Sequence, residues 1–166
     1  EFKKRGLLRG ENGVEIWIYD HNFDDIPFRP AKYPQTILKD PEAAKFVDGI
    51  AFHHYSALGW SNPKLLRKVR RGFPNVPFYF SEGSVFGLWG ALRLARYLKC
   101  GCSSYNGWVP FLDTEGKPNN GPFSASKTLL QRIVPENELL INFDYYMHVH
   151  FGKYIKPNAV QIEVLR

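Results

Sequence analysis

Short apolar runs in this chain alternate with longer amphipathic stretches, a pattern that predicts repeated βα units. Val14-Glu-Ile-Trp-Ile-Tyr-Asp20 is the first predicted strand, introduced by the turn Glu11-Asn-Gly13. After a loop holding Pro27, Pro30 and Pro34, Asp40 is placed to cap a helix with Pro41 at its first position and Glu42 in its first turn. That helix leads to a second strand, Gly49-Ile-Ala-Phe-His-His-Tyr55. A helix over about 63–71 returns the chain to a third strand within Val76-Pro-Phe-Tyr-Phe-Ser-Glu-Gly-Ser-Val85, whose aromatic run suits burial on both faces. A helix over about 86–99, with Trp89, Leu92 and Leu94, precedes a fourth strand near 103–108. Residues 113–122 have the proline, glycine and asparagine chemistry of a long surface loop. Phe143, Tyr146, Met147 and Phe151 mark a last amphipathic element that ends before Pro157, and Val160-Gln-Ile-Glu-Val-Leu165 alternates as a strand of different character.

Polar groups gather at the carboxyl ends of these strands, the side on which barrel enzymes place catalytic residues. Asp20-His21-Asn22 closes the first strand, His53-His54-Tyr55 the second, and Glu82 the third. Glu82 carries the most information, because a carboxylate at the end of a buried aromatic run is costly to place there. Either it does chemistry, or it caps the following helix or pairs with an arginine; local sequence leaves these readings open. The sugar-contact and plain hydrogen-bonding readings of Asp20, His21 and Asn22 are equally open.

Length changes the picture. The chain has 166 residues, enough for one domain with a core but short of the roughly 250 typical of a complete (β/α)₈ barrel. Four βα units are visible. Aromatic residues make up 16% of the chain, a density that indicates an ordered globular protein and also suits packing against sugar faces. The net charge of +6 is scattered, with clusters at Lys3-Lys4-Arg5 and Arg67-Lys68-Val69-Arg70-Arg71. The second cluster lies on a predicted helix and reads as a solvated face; nothing matches an established nucleic-acid motif, so no nucleic-acid partner is expected. Cys100 and Cys102 are too close in sequence for an easy mutual disulfide and lack the companions of a structural zinc site. His53-His54 and His148-Val-His150 superficially resemble ligand pairs, but adjacent residues on a strand point to opposite faces. No stretch is long and apolar enough to span a membrane, and Glu1-Phe-Lys-Lys-Arg5 lacks the apolar core of a secretory leader, so the leader of a secreted protein would lie upstream.

The segments Ile37-Leu-Lys-Asp-Pro-Glu-Ala-Ala-Lys-Phe-Val-Asp-Gly-Ile-Ala-Phe-His-His-Tyr55, Phe73-Pro-Asn75 with Phe80-Ser-Glu-Gly83, and His150-Phe-Gly-Lys-Tyr-Ile-Lys-Pro157 resemble, in order and spacing, glycoside hydrolase family 30, in particular its glucosylceramidase-like branch. The resemblance runs over nearly the whole chain. It implies an α/β fold: the C-terminal half, strands five to eight, of a TIM (β/α)₈ barrel over residues 1–157, with 158–166 entering a β-sandwich side domain. It implies a retaining β-glycosidase that needs no cofactor or metal, with a β-glycoside, glycolipid or polysaccharide as substrate and a secreted or otherwise extracytoplasmic location. Glu82 matches the family nucleophile. His53 and Tyr55 match positions lining the sugar site, with Tyr55 placed to hold the nucleophile's charge, and Trp108 matches a tryptophan of the glycone pocket. His54 stands where glucosylceramidases often carry a sugar-stacking tryptophan. The family's acid/base glutamate lies in an Asn-Glu motif on strand four, and Asn137-Glu138 does not match it. The implied partner is therefore the missing N-terminal half-barrel, or a second copy of the chain. The alternative is a non-catalytic carbohydrate-binding or interaction module derived from such an enzyme.

Overall fold

The computed structural model describes residues 3–6, 13–23, 32–55, 63–83, 86–120 and 127–162. The chain divides into two compact units, residues 1–81 with 100–105, and residues 82–99 with 106–166.

The first unit is built on a four-stranded sheet in the order β1-β2-β3-β4, with β1 (Trp17–Asn22), β2 (Gly49–His54), β3 (Phe78–Gly83) and β4 (Cys102–Tyr105). The β1/β2 and β3/β4 pairs are parallel, as the βα alternation predicts. The last two residues of β3 belong to the second unit. Strand alternation sorts side chains between two faces. On one face Ile50, Phe52, Phe78 and Phe80 are buried, and Phe23, fully buried, meets Phe52 edge-on at 6.0 Å while Phe52 meets Phe80 at 5.5 Å. Rings in such T-shaped pairs add attraction between edge and face beyond the area they bury.

The other face carries a different device near its amino end. Trp17 of β1 and Tyr79 of β3 stack with centroids 3.9 Å apart and planes inclined by 12°. The two strands are not neighbours; β2 lies between them, and Trp17 pairs in register with Gly49. A Cβ on Gly49 would lie 2.3 Å from the Tyr79 ring, so the absent side chain is what lets the flanking rings meet.

The helices connect these strands. The sequence predicts a loop at Pro34, but α1 (Lys32–Lys39) includes it in its first turn, where its missing N–H has no intrahelical partner to lose. Asp40 caps the short α2 (Pro41–Ala44) as the sequence predicts, accepting from the Glu42 and Ala43 amides. α3 (Pro63–Gly72) buries Leu66 and Val69 and exposes Arg67, Lys68 and Arg71. Arg70 donates to the Gly101 carbonyl at 3.0 Å and fills the space a Cβ at Gly101 would need; Gly101 has φ of +80°.

The second unit contains α4 (Gly87–Lys99), α5 (Phe143–Tyr154) and a three-stranded sheet absent from the sequence reading. β5 (Phe111–Asp113) runs parallel to β6 (Leu130–Ile133), which pairs antiparallel with β7 (Glu138–Ile141). Strands of three or four residues show too few alternations to reveal a period. The predicted long loop is in part a tight turn: Asp113 Oδ1 accepts from the amides of Glu115 at 2.9 Å and Lys117 at 2.7 Å. Asp144, in the first turn of α5, accepts a hydrogen bond from the Gly87 amide at the start of α4. α5 is helical as expected but buries none of its residues; Phe143 is 80% exposed. The fourth strand ends at Tyr105, so Trp108 lies beyond it. Val160 to Ile162 form no strand, and residues 163–165 of that predicted strand lie outside the described residues, as do Glu11, Asn12, Pro27, Pro30, Gly121 and Pro122.

Candidate functional site

β1 does not reach its carboxyl end as a regular strand. Tyr19 pairs with Ala51 and His21 with Phe52, so Asp20 is an extra residue in the ladder. Tyr19 and Asp20 both have positive φ, 86° and 49°, a conformation uncommon for residues with side chains and seen where a bulge re-aims one. The Tyr19 hydroxyl donates to the Asn22 carbonyl within this bulge.

The side chain so re-aimed is at the centre of a polar group spanning three strands. Asp20 Oδ1 accepts from Ser81 Oγ of β3 at 2.7 Å and lies 3.0 Å from His53 Nε2 of β2. Ser81 Oγ is also 3.1 Å from the Phe52 carbonyl. With one hydrogen to give, the hydroxyl favours the shorter, charge-assisted bond to the carboxylate. His53 is mostly buried and Asp20 mostly open, with side chains 17% and 61% exposed. One residue further on, Asn22 Oδ1 accepts from the Tyr55 amide at 2.6 Å, tying the ends of β1 and β2 a second time. His53 lies edge-on to His21 at 6.4 Å and to Tyr55 at 6.1 Å.

Asp20, His53, Asn22 and Tyr55 are thus brought together. His54, by contrast, is buried at 8% exposure on the opposite face of β2 from His53. Glu82 is half-buried near the end of β3, one residue after Ser81. Within the second unit the Trp108 amide donates to the Gly83 carbonyl at 2.8 Å, and the Trp108 side chain is 37% exposed. Asn137 has φ of +62° in the turn between β6 and β7 and accepts from Arg132 Nε at 2.9 Å, a turn role for the chain's Asn-Glu pair.

Two features escaped sequence reasoning. The sequence pattern does not mark Ser81, although its place beside the candidate carboxylate at a strand end is a usable signal. The bulge at Asp20 has no signature in the run Ile-Tyr-Asp-His. The second unit also holds a polar cleft of about 620 Å³ lined by Asp113, Lys127, Gln131, Asn142 and Phe143, among others; no predicted site residue lines it. The cysteines are free and buried. Burial pushes the Cys102 thiol up to about 11, against smaller opposing hydrogen bonds from the backbone, and burial also raises Cys100 despite Arg67 nearby. Neither supplies a thiolate near neutrality.

The model of the glycosyl hydrolase family 30 TIM-barrel domain matches residues 8–94, just over half of the chain. The chain belongs to glycosyl hydrolase family 30. Among characterised family relatives, an endo-1,6-β-D-glucanase of Neurospora crassa is 30% identical over 89% of this chain, and the lysosomal acid glucosylceramidase of Mus musculus is 27% identical over 86%. The solved structure of an endo-β1,6-glucanase superposes with a TM-score of 0.76 at 23% identity over 94% of the chain, a likeness of fold. The chain spans about a third of the length of these proteins: 31%, 30% and 36% respectively. The family resemblance read from the sequence therefore holds, and so does the α/β architecture with a parallel sheet.

Proposed function

We propose that this family 30 chain is the strand-five-to-eight half of a (β/α)₈ barrel and supplies the nucleophile, Glu82, of a retaining β-glycosidase. The observation that carries this reading is a half-buried carboxylate at the carboxyl end of β3, in a chain of a glycosidase family. In this mechanism the Glu82 carboxylate attacks the anomeric carbon, the glycosidic oxygen leaves with a proton from an acid, and water then cleaves the glycosyl ester. The two carboxyl groups of retaining enzymes stand about 5–5.5 Å apart. The acid is supplied by sequence outside these 166 residues, on the same polypeptide or on a partner half-barrel. Residues 158–166 begin the side domain.

By the family resemblance, Tyr55 is assigned to hold the nucleophile's charge, Trp108 to offer a ring face to the sugar, and His53 and Asp20 to line the sugar site. His54 replaces a stacking tryptophan. Since it is buried, it acts through packing and not by direct stacking. Relatives named for β-1,6-glucan and for glucosylceramide support a β-glucoside as substrate, and the lysosomal relative supports an extracytoplasmic location.

A mechanism-based 2-fluoro-glucoside tests the reading, with the modified peptide identified by mass spectrometry. Label on Glu82, lost in Glu82→Gln, is the expected result. Label on another carboxylate, or none on folded protein mixed with its complementary half, would overturn it. The second reading, a non-catalytic carbohydrate-binding module, draws on the chain's coverage of about a third of its relatives, 31% for the Neurospora glucanase. It predicts sugar binding that survives Glu82→Gln with no label.

A further inference from the structure

We propose that Ser81 is a positioning residue, whose hydroxyl clasps the carboxyl ends of β1, β2 and β3 and so fixes the strand end that carries Glu82. This rests on the reading of Glu82 as nucleophile. Three observations support it. Ser81 Oγ, on β3, donates to Asp20 of β1 at 2.7 Å and lies 3.1 Å from the Phe52 carbonyl of β2, so its one hydrogen holds β1 while its oxygen sits against β2. The bulge that presents Asp20 holds two residues at positive φ, a costly backbone to keep for an exposed carboxylate unless its placement matters. Third, Asp20 also engages His53 at 3.0 Å, which leaves the carboxylate shared between a hydroxyl and an imidazole and limits its freedom to swing toward solvent.

The consequence falls on the next residue. Ser81 and Glu82 share a peptide bond, so the torsions that aim the Glu82 side chain begin where the clasp ends. A nucleophile that must approach an anomeric carbon in line loses rate when its backbone wanders, even if sugar binding is intact. The clasp therefore acts on the chemical step through orientation. On this account Asp20 and His53, besides lining the sugar site, serve the same clasp through the contacts of Asp20 with Ser81 and His53.

The experiment compares Ser81→Ala, which removes the hydroxyl, with Ser81→Thr, which keeps it. Both are made in the full chain, alone and mixed with its complementary half. Inactivation by a 2-fluoro-glucoside is resolved into a binding constant and a rate constant for ester formation. Ser81→Ala is expected to lower the rate constant about tenfold or more with binding changed less than about twofold, and Ser81→Thr to restore most of it. Hydrogen exchange by mass spectrometry is followed in parallel for the peptide spanning 80–83. Ser81→Ala is expected to speed exchange there and leave α5 unchanged. If Ser81→Ala labels at the wild-type rate, or exchange over 80–83 does not move, the clasp is refuted. If the wild type forms no ester at all, the nucleophile reading fails, and the exchange comparison alone decides whether Ser81 orders the strand end.

Discussion

β2 and β7 are both rich in large apolar residues, yet the fold treats them in opposite ways. In β2, Ile50 and Phe52 are fully buried and Ala51 is 2% exposed; in β7, Leu139, Leu140 and Ile141 are 59%, 43% and 42% exposed. The difference is one of place in a sheet. β2 is paired on both sides, while among the described residues β7 is the outer strand of its sheet, with no partner on its far edge and with apolar side chains open to water. The same contrast separates the helices, since α3 buries Leu66 and Val69 whereas α5 buries nothing. A run of apolar residues therefore identifies a segment that wants cover, which β2 and α3 have and β7 and α5 lack, while α4 of the second unit buries Leu94 and Tyr97.

This contrast can be broken most severely in β2. Phe52→Ala removes a ring that touches Phe23 and Phe80, and is expected to cost about 3–5 kcal/mol, against a change within about 0.5 kcal/mol for Phe143→Ala at its 80% exposed position. Urea unfolding followed by circular dichroism checks both; similar losses would erase the distinction between the two regions.

The buried sheet also sets an alkaline limit. The Cys102 thiol ionises at about 11 in the folded chain and near its ordinary value of 9.0 when unfolded. Folding thus favours the neutral thiol: its contribution is complete below 9 and falls as pH rises toward 11, by on the order of 2–3 kcal/mol. Melting temperatures measured across that window should decline more steeply for the wild type than for Cys102→Ala.

Gly49→Ala forces the Trp17 and Tyr79 rings apart and should cost about 1–3 kcal/mol, with loss of the near-ultraviolet signal of the stacked pair. An unchanged spectrum would show that the strands accommodate the methyl group by another route. The smallest effect on stability is expected at β7. Leu140→Lys should shift it by less than about 0.5 kcal/mol, and any self-association that light scattering detects for the wild type should fall, because a charge on an apolar edge discourages strand pairing. If association is unaffected, the exposed row on β7 is not where copies meet.

Much of the first unit was legible because strands and helices alternate there with clear periods and punctuation, such as Asp40-Pro41 at a helix start. The positions of Asp20, His53, Tyr55 and Glu82 at strand ends followed from that alternation. What joins them did not. The bulge at Asp20 depends on two backbone conformations, and the role of Ser81 depends on strands that are 61 residues apart in sequence at their point of contact. The small sheet of the second unit stayed hidden because Phe111–Asp113 is too short to display a period and its partner lies beyond a turn-rich stretch.

The vacancy at Gly49 also bears on how this sequence can change over time. Three residues on three strands occupy one volume: Trp17, Gly49 and Tyr79. A side chain can enter at 49 only if a ring at 17 or 79 becomes smaller, and neither ring can leave without opening a hollow beside the glycine. The three positions are therefore expected to drift together or not at all, and a lineage that alters one of them should carry a compensating change at another.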